Sequence, residues 1–69
     1  MCIADNMRRI RKQRGYSQEE LAEILNTTQQ QYSKYENGVN EIPVHHVITL
    51  CRFYNITSDW LLGLKETEE

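Results

Sequence analysis

The sequence has few of the residues that crosslink a chain or interrupt its backbone. Its 69 residues include 2 cysteines, 1 proline and 3 glycines. Two cysteines at irregular spacing are too few for a disulfide framework or a zinc site. We therefore interpret Cys51 as a small buried apolar residue and Cys2 as a free thiol.

Long apolar segments are also missing. No run approaches the roughly 20 residues of a membrane span, and the N-terminal stretch has no apolar h-region of a secretory signal. We therefore expect a cytoplasmic protein that makes no contact with a membrane. A chain this short forms one domain, 1–69, and buries only about 60% of the surface that its unfolded form exposes.

The net charge is -2 at pH 7, which argues mildly against a nucleic-acid binder because phosphate contacts normally dominate affinity. The distribution of charge matters more than the sum. Acidic residues collect in a tail, 64–69, whereas basic residues cluster near the N-terminus at Arg8, Arg9, Arg11, Lys12 and Arg14. This asymmetry predicts a fold that is basic at one end and acidic at the other.

Glycine and asparagine punctuate the chain at intervals that suit helix ends. Both residue types fit the left-handed conformation that follows many helices. Start signals lie between them: Ser17 with Glu20 forms a capping box, Thr28 and Thr57 are good N-caps, and Pro43 suits a first helical turn. The pattern predicts five short helices, at 5–14, 18–25, 29–36, 43–54 and 58–62, and an all-α fold.

Apolar residues recur at helical spacing within these segments, which predicts a single core over 5–63. Tyr32 and Tyr35 point inward from the third helix. The fourth helix is expected to bury a stripe of Val44, Val47, Ile48, Cys51 and Tyr54. The other helices contribute Met7, Ile10, Leu21, Ala22, Ile24, Leu25, Ile56, Trp60 and Leu61.

The third helix carries an unusual polar face. With Tyr32 and Tyr35 inward, the helical period turns Gln29, Gln30, Ser33 and Lys34 outward, with Gln31 at the flank. The short turn before Thr28 predicts a helix-turn-helix over 17–37, whose second helix would lie in the DNA major groove. Glutamine can bond bidentately to adenine. The alternative is a solvated helix face, since glutamine is a good helix former.

The stretch "SQEELAEILNTTQQQYSKYENG" resembles the helix-turn-helix of Cro/cI-type (XRE family) transcriptional regulators, and "TTQQ" resembles the recognition-helix start of some lambdoid phage repressors. The resemblance covers about residues 5–63. It implies a compact five-helix, lambda-repressor-like domain that binds double-stranded DNA. We expect a repressor that binds a pseudo-palindromic operator as a homodimer, because one domain reads only a few base pairs; the alternative is a dimer that forms only on DNA. The sequence has no nucleophile–base constellation and no phosphate-binding glycine-rich loop, so we expect no catalytic residues and no cofactor.

The resemblance also implies roles for individual residues. Gln18 would contact a phosphate and brace Gln29, while Gln29 and Gln30 would read bases. The buried salt bridge of the family corresponds to Arg11 and Glu36. The remaining DNA contacts would come from Thr28 at the helix start and from Gln31, Ser33, Lys34, Asn37 and Asn40.

One segment departs from the family pattern. The loop after Gly38 is often basic in relatives, but here it contains Glu41, which would repel phosphate. Phosphate affinity is then either lower than usual or supplied by Arg8, Arg9 and Lys12, which otherwise form only a solvated face.

Other classes of function fit the sequence less well. Adjacent His45 and His46 point in different directions along a helix and lack a third metal ligand, so we expect no metal site. No small-molecule pocket signature is present. The main rival is a protein-interaction module, such as an antitoxin or co-regulator. We expect a complete chain rather than a fragment of a longer regulator, with dimer contacts from the fourth and fifth helices, including Ile56 and Trp60.

Overall fold

In a computed structural model, residues 2–66 are described and form five α-helices with no strand among them. The all-α, five-helix fold expected from the sequence is therefore confirmed. Of the predicted acidic tail, residues 67–69 lie outside the described part of the chain. The helices are α1 (Ile3–Arg14), α2 (Gln18–Ile24), α3 (Gln29–Glu36), α4 (Val44–Tyr54) and α5 (Ser58–Leu61).

The helix ends follow the local chemistry of the sequence. Asn26 and Asn55 adopt left-handed backbone conformations, with φ of 57° and 58°. The capping box is complete: the Glu20 N–H donates to Ser17 Oγ at 3.0 Å, and the Ser17 N–H donates to Glu20 Oε1 at 2.9 Å. Pro43 precedes α4 instead of opening it, because its ψ of 151° is extended.

The core lies between all five helices. Its largest fully buried side chains include Tyr32, Tyr54, Met7 and Ile10. These belong to three different helices, so the core is continuous across the chain. No helix in this part of the protein is long and apolar enough to cross a membrane.

The predicted stripe on α4 is partly wrong. Val47, Leu50 and Tyr54 are buried, whereas Val44 is 74% exposed and Ile48 is 47% exposed. At 3.6 residues per turn, Ile48 lies about 100° around the helix from Val47, so the two cannot share one narrow face. Leu50, which was not part of the predicted stripe, is fully buried instead.

A buried asparagine links the two ends of the chain. Asn6 is 2% exposed, and its Nδ2 donates to the backbone oxygens of Trp60 at 2.9 Å and Leu61 at 3.3 Å. Trp60 and Ile56 are themselves buried, at 3% and 9% exposure. The expectation that these two side chains supply dimer contacts is therefore wrong, because they already pack in the core.

Candidate nucleic-acid interface

The connection between α2 and α3 has the form of a tight helix-turn-helix. Asn26 turns the chain in the left-handed conformation, and the Thr27 N–H donates back to the Ala22 oxygen at 2.9 Å. Thr28 then begins α3, since its Oγ1 accepts from the Gln31 N–H at 3.1 Å. A turn this short holds the start of α3 at a fixed angle to α2.

The outward face of α3 forms a shallow hollow with the first residue of α2. Gln29, Gln30 and Lys34 are exposed, and Ser33 is half-buried. The hollow has a volume of about 430 Å³. It brings together five of the predicted DNA-contacting residues: Gln18, Gln29, Gln30, Ser33 and Lys34. Thr28, Gln31, Asn37 and Asn40 lie outside its lining.

A buried carboxylate holds α1 to the end of α3. Glu36 is 1% exposed. Arg11 donates to it twice, from Nε to Oε2 at 2.7 Å and from Nη2 to Oε1 at 3.2 Å. Burial alone would raise the pKa of Glu36, but hydrogen bonds, chiefly from Arg11, outweigh it, so the pKa lies below its ordinary value. The carboxylate in turn raises the pKa of Arg11 through its hydrogen bond.

Gln18 joins the same site from α2. Its Nε2 donates to Glu36 Oε1 at 3.2 Å, so Glu36 ties α1, α2 and α3 together. The resemblance had suggested that Gln18 braces Gln29. In the described structure it is held by Glu36, and no hydrogen bond joins the two glutamines. One amide hydrogen of Gln18 remains for an outside acceptor, since an amide nitrogen carries two.

Arg8 on α1 also contacts the end of α3. The sequence placed Arg8 in the basic cluster but did not indicate this contact. Its Nη2 donates to the backbone oxygen of Glu36 at 2.9 Å and to Asn37 Oδ1 at 3.4 Å. Asn37 Nδ2 then donates to Ser33 Oγ at 3.3 Å. Only the packing of α1 against α3 reveals this connection, because nearly 30 residues separate its ends along the chain.

The remaining residues of the basic cluster differ in their surroundings. Arg14 Nη1 donates to the Tyr54 oxygen at 3.0 Å, which places Arg14 at the end of α4. Lys12 and Arg9 are exposed on α1. Glu41 is exposed in the loop after α3, so the acidic departure from the family pattern lies on the surface.

An apolar groove lies beside that loop. It has a volume of about 600 Å³ and runs between the start of α1, the loop and the start of α4. Val39 and Val44 stand at its edge with 68% and 74% exposure. The groove, as used below, comprises Cys2, Ile3, Ala4, Tyr35, Gly38, Val39, Asn40, Glu41, Ile42, Val44, Val47 and Leu62.

The two histidines of α4 pack beside each other, and one of them lies beside an aromatic ring of α3. The ring centroids of His45 and His46 lie 4.2 Å apart, and the His46 ring lies 5.9 Å from the Tyr35 ring, tilted by 57°. Burial and then the neighbouring His45 lower the pKa of His46. Within residues 2–66 no group of three or more metal-binding side chains comes together.

Comparisons with known proteins agree with this geometry. The family model described as Helix-turn-helix matches residues 7–61. The chain is 30% identical, over its full length, to the HTH-type transcriptional regulator ImmR of Bacillus subtilis, covering 54% of that protein. Over 87% of its length it is 33% identical to the prophage-derived uncharacterized HTH-type transcriptional regulator YonR of the same organism, covering 56% of it.

A solved structure gives the same result. A transcriptional regulator from Listeria innocua superimposes with a TM-score of 0.84 at 26% identity, over 88% of this chain and 57% of the other. The chain thus spans just over half the length of each of these proteins.

Proposed function

Because the chain belongs to the Cro/cI-type helix-turn-helix family of DNA-binding transcriptional regulators, we propose that it is a repressor that binds a pseudo-palindromic operator as a homodimer. Members of this family act by binding DNA and are not enzymes. The repressor assignment is supported by the resemblance of the start of α3, "TTQQ", to the recognition-helix start of some lambdoid phage repressors. Such a protein would work in the cytoplasm, beside the DNA.

The observation that carries this proposal is the polar face at the start of α3. Gln29 and Gln30 are exposed at the N-terminal end of the helix, and Lys34 lies one turn further on. In a helix-turn-helix the first residues of the second helix reach the base edges of the major groove. Glutamine amides suit adenine, and a lysine ammonium suits the O6 and N7 atoms of guanine.

Phosphate contacts would flank these base contacts. The free amide hydrogen of Gln18 and the exposed amides of Asn37 and Asn40 are suitable neutral donors. Lys12, exposed on α1, is a suitable charged donor to phosphate. Glu41 opposes them, so we expect a shallower dependence of affinity on salt than in a regulator with a basic loop, because the slope follows the number of phosphates neutralised.

The groove is the proposed surface for the second copy. Half-sites lie about 34 Å apart on one face of DNA, and the molecule measures 29 × 22 × 20 Å. Two copies on adjacent half-sites would therefore nearly touch. The groove adjoins the loop after the recognition helix, and its exposed valines provide apolar area that contact with a partner would bury.

Selection from a pool of random DNA duplexes tests the proposal. We expect enrichment of an inverted repeat whose half-sites are one helical turn apart, with affinity that falls as salt rises. Enrichment of a single half-site would support DNA binding by one copy of the protein and contradict the proposed dimer. Failure to enrich any sequence would overturn the regulator proposal.

A protein-interaction module, such as an antitoxin or co-regulator, is the second candidate. The groove favours it, because an exposed apolar patch of this kind marks an interaction site. A chain of this class would bind another protein through the groove and bind DNA weakly or not at all. The same selection separates the two, because an enriched sequence supports the regulator, whereas failure to enrich any sequence favours the interaction module.

A further inference from the structure

We propose that Arg8 is a positioning residue that makes the Ser33 hydroxyl a hydrogen-bond donor toward DNA. Ser33 would then recognise an acceptor atom on the nucleic acid, and Arg8 would control this from another helix without contacting that atom. The inference rests on the proposed function. It concerns the polarity of a hydrogen-bond chain that runs from Arg8 through Asn37 to Ser33.

The first link fixes the orientation of Asn37. A guanidinium group has donors and no acceptor. Arg8 Nη2 is anchored by the Glu36 backbone oxygen at 2.9 Å, and Arg8 Nε lies 3.9 Å from the Glu36 carboxylate. The atom of Asn37 that faces Arg8 must accept, so it is Oδ1, at 3.4 Å.

The second link fixes the role of Ser33. Once Oδ1 faces Arg8, the nitrogen of Asn37 faces Ser33 and lies 3.3 Å from Oγ. An amide nitrogen only donates, so the Ser33 oxygen accepts this bond and its own hydrogen must go elsewhere. In residues 2–66 no protein acceptor receives that hydrogen. A helical hydroxyl can instead donate to the backbone oxygen four residues earlier, as Thr49 does to His45 at 3.0 Å.

The hydrogen is then available to the hollow on α3. Ser33 lines that hollow together with Gln29, Gln30 and Lys34. The partner that fits is an acceptor: a phosphate oxygen, or an acceptor on a base edge such as N7 of a purine or O4 of thymine. The hydroxyl oxygen keeps one lone pair after it accepts from Asn37, but only an acceptor on the nucleic acid would bind the hydroxyl hydrogen.

Without Arg8 this polarity is lost. The Asn37 amide could turn over and present its oxygen to Ser33, which would capture the hydroxyl hydrogen within the protein. Removal of Arg8 would therefore weaken DNA binding through Ser33, in addition to any effect of losing a positive charge. Lys12 provides a matched control, because it is one helical turn further along α1 and carries the same charge.

The test is a double-mutant cycle on the duplex enriched from the random pool. Ser33→Ala should weaken binding about three- to ten-fold, the range of one hydrogen bond. The loss of DNA affinity caused by Arg8→Ala should be larger in the wild-type background than in the Ser33→Ala background. Lys12→Ala should have the same effect in both backgrounds. Asn37→Ala, which breaks the chain in the middle without touching the Arg8 bond to Glu36, should couple to Ser33→Ala in the same way.

Modified duplexes identify the acceptor. One set carries 7-deazapurines, which lack N7, or thymine analogues that lack the O4 acceptor, and another carries methylphosphonates, which lack a charged phosphate oxygen. The wild type should lose affinity for one substitution to which Ser33→Ala is indifferent, and Arg8→Ala should respond less than the wild type.

Additive effects of Arg8 and Ser33, or equal responses of wild type and Ser33→Ala to every modified duplex, would overturn the inference while leaving the regulator proposal intact. Failure of the pool to yield any duplex would overturn both.

Discussion

The Arg11 guanidinium lies 2.7 Å from the Glu36 carboxylate, at a position where Glu36 is 1% exposed and the Arg11 side chain is 11% exposed. Gln18 donates to the same carboxylate from α2. The last residue of α3 is thus fixed by both helices that precede it. A hydrogen-bonded pair in this position sets the orientation of α3 and therefore of its polar face.

Removing one partner of this pair should be costly. Arg11→Met leaves the Glu36 charge buried without its main donor, and we expect a loss of about 3 kcal/mol in the free energy of unfolding. Urea denaturation measures it. Lys12→Met, an exposed neighbour, should change stability by less than about 0.5 kcal/mol. Similar values for the two variants would show that the pair contributes little.

The same pair predicts a pH dependence of stability. The pKa of Glu36 is lowered in the folded protein, so the unfolded chain binds the proton more readily. The stabilisation is complete above the ordinary glutamate pKa, about 4.3, and is lost as pH falls through the lowered folded pKa. The difference in unfolding free energy between wild type and Glu36→Gln should therefore shrink in acid. A difference that grows on acidification would contradict this sign.

Two neighbouring apolar residues of α4 should respond very differently to truncation. Leu50→Ala removes a fully buried side chain and should cost about 2–5 kcal/mol. Ile48→Ala, at 47% exposure, should cost well under half of that. Thermal or urea unfolding of the two variants decides the matter, and equal losses would mean that Ile48 belongs to the core.

Much of the fold was predictable because it depends on local chemistry. The capping box at Ser17, the cap at Thr28 and the left-handed turns at Asn26 and Asn55 each act within a few residues, so helix number and order follow from the sequence. The buried face of α4 does not follow from the sequence, because apolar residues cover more than one side of this helix. Only packing selects Leu50 over Ile48.

The candidate site also has a part that local sequence predicts and a part that depends on packing between helices. The outward position of Gln29, Gln30 and Lys34 follows from the inward tyrosines and the helical period. The contacts of Arg8 and Gln18 with Glu36 require three helices to meet, which no local pattern reports. Burial of Trp60, which removes it as a candidate dimer contact, likewise depends on how α5 packs against α1 through Asn6.

The groove predicts an effect on assembly. Val44→Ser should leave the fold intact, since the side chain is 74% exposed, but it should weaken cooperative binding to two half-sites. Leu64→Ser is the matched control, at 75% exposure and outside the groove. Titration of duplexes with one and two half-sites measures the cooperativity. Loss in the Leu64 variant alone would place the dimer contact elsewhere.

If the start of α3 reads DNA sequence, affinity for the enriched duplex should far exceed affinity for a scrambled duplex, and a titration of both duplexes measures this ratio. In the wild type the ratio should be large. Gln29→Ala should lower discrimination at one base position by about 1–3 kcal/mol and leave binding to the scrambled duplex nearly unchanged. If the Gln29→Ala and Gln30→Ala variants both keep the wild-type ratio, the polar face of α3 does not read the bases.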